Sequence, residues 1–156
     1  MRSVTIAIET PLQDDVRELV AALNEWALGE TPREFCHHMT VEQMAQPDTT
    51  LFVARQDGRA IGMGALRRHA DGVGEVKRMY TRPEARGLGV GKAIVAEIVK
   101  LARGEGYRQL VLETGSVAGF SSAWRVYEGH GFQRCGAVLD YNDSPYNIFY
   151  SKDLAA

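Results

Sequence analysis

Apolar and polar residues alternate from the start of the chain, with Val4, Ile6 and Ile8 separated by polar or small positions. A period of two predicts a strand. Thr10-Pro11-Leu12-Gln13 then has the form of a capping box with proline at the first helical position. Leu12, Val16, Leu19, Val20 and Leu23 recur at helical spacing, which predicts a helix with one buried stripe and a stop at Gly29. A second, weaker helix is expected from Pro32 to Met44.

Beyond it the period returns to that of strands. Leu51 to Arg55 and Ala60 to Arg68 read as a hairpin turning at Asp57-Gly58, a dipeptide that tolerates positive φ. After the Asp71-Gly72 turn a strand runs from Gly74 to Thr81 and is stopped by Pro83. Gly89 opens a helix with the stripe Val90, Ile94, Ile98 and Leu101, ended by Gly104 and Gly106. Gln109 to Glu113 is a short buried strand, Ser121 or Ser122 is placed to cap a helix through Glu128, and strands at Phe132 and from Tyr146 to Leu154 close the chain. The order is an antiparallel meander, a strand-helix-strand unit, then a helix and closing strands. It predicts an α/β (α+β) fold, a single mixed, mostly antiparallel sheet flanked by helices, with a cleft where neighbouring strands diverge.

Composition narrows this picture. At 156 residues the expectation is one domain spanning 1–156, long enough for a continuous core without disulfides. Hydrophobic residues at 45% and charged residues at 24% argue against disorder and a disulfide scaffold. A net charge of -2 gives no broad footprint for nucleic acid or an anionic membrane, the local pair Arg67-Arg68 aside. Cys36 and Cys135 fall in no metal-ligand spacing and come with no signal-peptide pattern, so free thiols, no metal and a cytoplasmic location are expected. No apolar run approaches the roughly 18 residues a membrane span needs.

The chemistry concentrates in Arg86-Gly87-Leu88-Gly89-Val90-Gly91-Lys92. Glycines at alternate positions let the backbone turn tightly and bring N–H groups close to an anion, and the helix that follows adds its positive dipole end. Arg86 and Lys92 add charge suited to a pyrophosphate. A P-loop is excluded because Arg86 stands where its first glycine belongs and Ala93 where it needs Ser or Thr. The dinucleotide fingerprint fails at Lys92, the place of its third glycine. A glycine-rich loop that merely tightens a strand-to-helix turn is the bland alternative.

The run Met79-Tyr80-Thr81-Arg82-Pro83-Glu84-Ala85-Arg86-Gly87-Leu88-Gly89-Val90-Gly91 resembles the pyrophosphate site of the GNAT N-acetyltransferase superfamily. Ala123-Trp124-Arg125-Val126-Tyr127-Glu128-Gly129-His130-Gly131-Phe132 looks like that superfamily's helix-and-turn signature. With Leu112-Glu113-Thr114-Gly115 between them, the resemblance covers roughly Gly74 to Phe132. One departure is Phe120, where many relatives carry Asn.

The resemblance implies an enzyme that passes the acetyl group of acetyl-CoA to a primary amine of a small molecule or peptide, by direct attack in a ternary complex. It implies cofactor binding by Met79, Tyr80 and Thr81, through backbone groups of Met79 and Thr81, and by Arg86, Gly87, Leu88, Gly89, Val90, Gly91 and Lys92. Tyr127 is the candidate general acid, since a phenol of ordinary pKa about 10 can protonate a thiolate whose conjugate acid lies near about 8.5. For the general base, Glu75 is the first candidate and Glu113 the second. The plain alternatives are a core tyrosine and, for Glu75, an ion pair with Lys77 or Arg78. His37-His38 and the Tyr141-Asn142-Asp143-Ser144 loop lie where relatives shape the acceptor pocket, with Asp143 able to pair with a cationic substrate. Relatives are often dimers, and the closing strands offer an edge for pairing across a two-fold axis. A non-catalytic acyl-CoA sensor on the same fold is the alternative function, because fold and cofactor site do not guarantee turnover.

Overall fold

Both residues of the Asp57-Gly58 turn take positive φ, 53° and 81°, and reverse the chain between β2 (Thr49–Gln56) and β3 (Arg59–Arg68). Asp71 and Gly72, at 63° and 73°, do the same between β3 and β4 (Val73–Thr81). β1 (Val4–Ile8) pairs antiparallel with β2 and completes the meander. The computed structural model describes residues 3–32 and 39–154.

Helices α1 (Asp14–Glu30), α2 (Val41–Met44), α3 (Val90–Gly104) and α4 (Ser121–Gly129) flank the sheet, which β5 (Gln109–Gly115), β6 (Gln133–Cys135) and β7 (Asn147–Asp153) extend. The strand order is β1-β2-β3-β4-β5-β7-β6, with every pairing antiparallel except β4 with β5. The mixed, mostly antiparallel sheet flanked by helices expected from the element order is therefore present.

Alternate residues of β2 serve two cores. Phe52 and Ala54 face the α3 layer with Ile94, Ile98, Leu66 and Leu110, while Leu51 and Val53 face the α1 layer with Val16, Leu19, Val20 and Leu23. Burial on both faces is why β2 reads as an unbroken apolar run. α3 sits close against β3. A Cβ on Gly62 would lie 2.7 Å from Val90 Cγ1, and one on Gly64 would lie 2.6 Å from Ile94 Cγ2 and clash with Met79 Sδ.

β4 and β5 pair only over Val73 to Glu75 and Gln109 to Val111. Past that point β4 stays with β3 up to Thr81 and β5 stays with β7 up to Gly115, so the two parallel strands part and open a cleft.

Three local expectations need correction. The Thr10–Gln13 capping box does not form, because the Gln13 amide donates instead to Glu9 Oε1 (3.0 Å) and the Thr10 carbonyl (2.8 Å). Arg55, which binds Glu9, Asp15 and Gln13, draws these groups together, and the helix begins at Asp14 with Leu12 exposed. Gly29 does not stop α1, which runs to Glu30 and ends with the Thr31 N–H donating to the Ala27 carbonyl (2.9 Å). Neither Ser121 nor Ser122 caps α4; a 3-10 turn over Ala118–Phe120 leads directly into it, leaving Phe120 at the cap. Of the helix expected over Pro32 to Met44, Val41–Met44 is present, held by a reciprocal Thr40–Gln43 capping box. Cys36, His37 and His38 lie outside the described residues. Cys135 is a free, exposed thiol, and no described helix is long and apolar enough to cross a membrane.

Candidate active site

The register between β3 and β4 steps from Ala65↔Lys77 to Met63↔Tyr80, leaving Arg78 and Met79 together opposite Gly64. This is a β-bulge, and Arg78 takes the positive φ of 56° that lets the extra residue fit. Met79 packs toward the α3 core and Tyr80 toward the α1 core. The Arg78 guanidinium reaches α1, where its Nη2 donates to Asn24 Oδ1. The bulge lies beyond the last β4–β5 pair, where the strand forms one wall of a cleft of about 470 Å³.

The glycine-rich turn lies at one end of that cleft. Gly87 and Gly89 take φ of 89° and 76°, and a Cβ at either would meet nothing within 4 Å, so conformation and not space requires glycine there. The backbone N–H groups of Gly87, Gly89, Val90, Gly91 and Lys92 donate to no carbonyl or side chain among the described residues. Gathered at and just before the start of α3, they are donors with no partner in the chain, of the kind a helix N-terminus offers an anion. Met79, Tyr80, Thr81, Arg86, Gly87, Gly89, Val90, Gly91 and Lys92 all line the cleft, whereas the Leu88 side chain is exposed outside it.

Tyr127 stands on α4 against the same cleft, 5% exposed, its ring packed beside Phe132 and Tyr150 at centroid distances of 5.9 and 6.0 Å. No described residue hydrogen-bonds its hydroxyl. Burial, with a smaller contribution from Tyr150, pushes its pKa above the ordinary phenol value, so it stays protonated.

Glu75 and Glu113 both line the cleft in different settings. Glu75 is 1% exposed and wholly engaged: Oε1 lies 2.8 Å from His69 Nε2, Oε2 accepts from the Tyr141 hydroxyl at 2.6 Å, and Lys77 Nζ lies 3.4 Å away. Lys77 also donates to the Tyr141 oxygen at 2.6 Å. Glu113 is half-buried and its Oε2 accepts from Asn147 Nδ2 at 2.8 Å.

Asp143 is exposed and does not line the cleft, while Tyr141 and Tyr146 from the same loop do. Phe120 stacks edge-on against Trp26 at 4.6 Å and fills the space beside Gly115. A Cβ on Gly115 would overlap the Phe120 ring, which ties that glycine to its aromatic neighbour. Lys77, Arg78 and Asn147 are cleft residues that carry no motif signal in the sequence. The glycine pair Gly62 and Gly64 was the available signal for the bulge, since a strand glycine marks either a bulge or a close approach.

The splayed strands, the glycine-rich turn and the buried phenol thus line one cleft. Residues 20–132 match the model of the acetyltransferase (GNAT) family. The chain is 37% identical to the IAA acetyltransferase of Azospirillum brasilense, over 99% of this chain and 100% of that protein. It is 35% identical to the uncharacterized N-acetyltransferase YsnE of Bacillus subtilis, over 88% of this chain and 93% of that one. A Klebsiella pneumoniae structure described as an acyl-CoA N-acyltransferase superposes with a TM-score of 0.82 at 28% identity, covering 97% of each chain. The chain therefore belongs to the GNAT acetyltransferase family and is an N-acetyltransferase.

Proposed function

We propose that the protein transfers the acetyl group of acetyl-CoA to the primary amine of a small molecule or peptide, by direct attack with both substrates bound. The observation that carries this reading is the coincidence in one cleft of Tyr127 with the unpaired N–H groups of Gly87, Gly89, Val90, Gly91 and Lys92. Acetyl-CoA, when bound, supplies an acetyl group activated as a thioester.

The remaining roles belong to the chain. The N–H groups of the turn, with Arg86 and Lys92, hold the pyrophosphate of the donor. Backbone groups of Met79 and Thr81, on the stretch of β4 beyond its last pair with β5, bind the pantetheine arm and polarise the reacting carbonyl. The Tyr127 hydroxyl carries the proton that the departing thiolate needs.

A carboxylate of the cleft takes the proton of the incoming ammonium. Glu75 and Glu113 are the two candidates. Supporting Glu113 over the first candidate Glu75 are its half-buried position and the engagement of both Glu75 oxygens by His69, Tyr141 and Lys77. Cytoplasmic residence and a homodimer formed through the closing strands complete the reading.

Release of the coenzyme A thiol across a panel of amines tests it. Turnover with at least one amine, reduced about a hundredfold in Tyr127→Phe at unchanged fold, is the expected result. Binding of acetyl-CoA with no thiol release for any amine would instead favour the sensor reading.

A further inference from the structure

Arg78 is the most unusual charge in the molecule. Its residue is 8% exposed, it is the bulged residue of β4, and it lines the cleft beside Trp26 and Thr31. Its sole hydrogen bond among the described residues runs from Nη2 to the neutral amide oxygen of Asn24. Nε is buried with no partner at all. No described carboxylate lies within ion-pair distance of it. Glu75, three residues earlier, is occupied by His69, Lys77 and Tyr141.

A buried, unpaired guanidinium is costly, and proteins seldom keep one without a counter-charge. Burial alone pulls its pKa down to about 10, which still leaves it charged at neutral pH. The backbone is also held at positive φ to present it, a further cost for a non-glycine residue. The charge cost falls away if a ligand supplies the anion.

The donor's phosphates are not that anion, because the turn from Gly87 to Lys92 with Arg86 already provides their site. The other end of the cleft, between α1 and the splayed strands, is left for the acceptor. There the charged groups are Glu75, Lys77 and Arg78 on β4 and Glu113 on β5. Lys77 and Glu75 are engaged with each other and with Tyr141, and Asn147 donates to Glu113, which leaves Arg78 as the charge without a counter-ion among the described residues.

Building on the acetyl-transfer reading above, we infer that Arg78 binds a carboxylate of the acceptor, which is therefore a free amino acid or similar amine-bearing carboxylic acid. The planar fork of the guanidinium suits bidentate carboxylate recognition, and its sole partner among the described residues is a neutral amide oxygen. A polycation without an acid group would meet Arg78 uncompensated and is disfavoured.

The test compares each of the L-amino acids, β-alanine and γ-aminobutyrate with its own carboxamide. Thermal unfolding of the full chain is followed in saturating coenzyme A, so that acceptor binding is read without turnover. At least one acid should raise the melting temperature where its amide does not. Arg78→Gln should weaken binding of that acid about ten- to a hundredfold, the loss expected for a charge-assisted hydrogen bond, and leave acetyl-CoA binding intact.

The ligand-free Arg78→Gln protein should melt no lower than wild type, because it loses an unpaired charge; a residue kept for structure alone would melt lower. If no acid is preferred over its amide, or Arg78→Gln leaves that preference unchanged, the inference is overturned. Thiol release is measured on the same pairs. Acids that bind in an Arg78-dependent way without thiol release would sink the transfer reading while leaving the carboxylate site standing.

Discussion

The hydroxyl of Tyr141 donates to Oε2 of Glu75 at 2.6 Å, joining residues 66 positions apart in the chain across the acceptor end of the cleft. Lys77 donates to the same hydroxyl oxygen at 2.6 Å and lies 3.4 Å from the same carboxylate. With His69 on Oε1, the carboxylate has partners on both oxygens.

Such a group is held in place more firmly than it is exposed to substrate. Glu75→Ala should cost about 3–5 kcal/mol, the range for removing one partner of a buried ion pair. Denaturant unfolding measures this. Glu75→Gln, which keeps the shape, should cost less. If Glu75→Ala unfolds at the wild-type denaturant concentration, the network has no structural role.

Glu113 gives the contrasting outcome. Its replacement by Gln should lower kcat/KM about ten- to a hundredfold on acceptors that arrive as ammonium, with a smaller loss at high pH where the amine is already neutral. Stability should change little. A pH profile of kcat/KM for Glu113→Gln beside wild type separates the two carboxylates.

Gly89 combines a φ of 76° with open space around its Cβ position. Gly89→Ala should therefore cost roughly 1–2 kcal/mol through backbone strain alone. Gly89→Asp adds a negative charge at the N–H cradle and should abolish acetyl-CoA binding as well. Isothermal titration distinguishes the two effects, since Gly89→Ala should retain weakened binding.

Alkaline stability follows from Tyr150. Burial, then the hydrogen bond from its hydroxyl to Glu128 Oε2 at 2.6 Å, push its pKa up to about 12. A folded pKa above the unfolded value of about 10 means that the folded state holds its proton longer. The associated stability is fully present below about pH 10 and is lost as pH rises from there toward 12. Tyr127 and Tyr141 are shifted in the same direction. Melting temperature should fall above pH 10, and Tyr150→Phe should make that fall shallower.

The parts of this picture that sequence reveals are those fixed by local geometry. The Asp57-Gly58 turn is legible because few other dipeptides accept two positive φ values in succession, and α3 because Val90, Ile94 and Ile98 fall on one buried face. The turn from Arg86 to Lys92 is legible because alternating glycines have few other uses. By contrast, the α1 boundary depends on Arg55 gathering Glu9, Asp15 and Gln13 from up to 46 residues away, and no local pattern contains that. The bulge at Arg78 hides inside a regular-looking strand, and its one local hint, the glycines Gly62 and Gly64 of the facing strand, is equally accounted for by the close approach of α3. Tyr141 reads as a loop residue until the closing strands bring it to Glu75.

Whether acetyl-CoA is held on the turn from Arg86 to Lys92 is decided by thermal unfolding with acetyl-CoA, NAD or ATP. At 100 times its dissociation constant a ligand adds about 2.7 kcal/mol to stability. A rise in melting temperature with acetyl-CoA, absent in Gly89→Asp, is the expected result. No rise with acetyl-CoA while NAD or ATP stabilises, or an equal rise in Gly89→Asp, would contradict it.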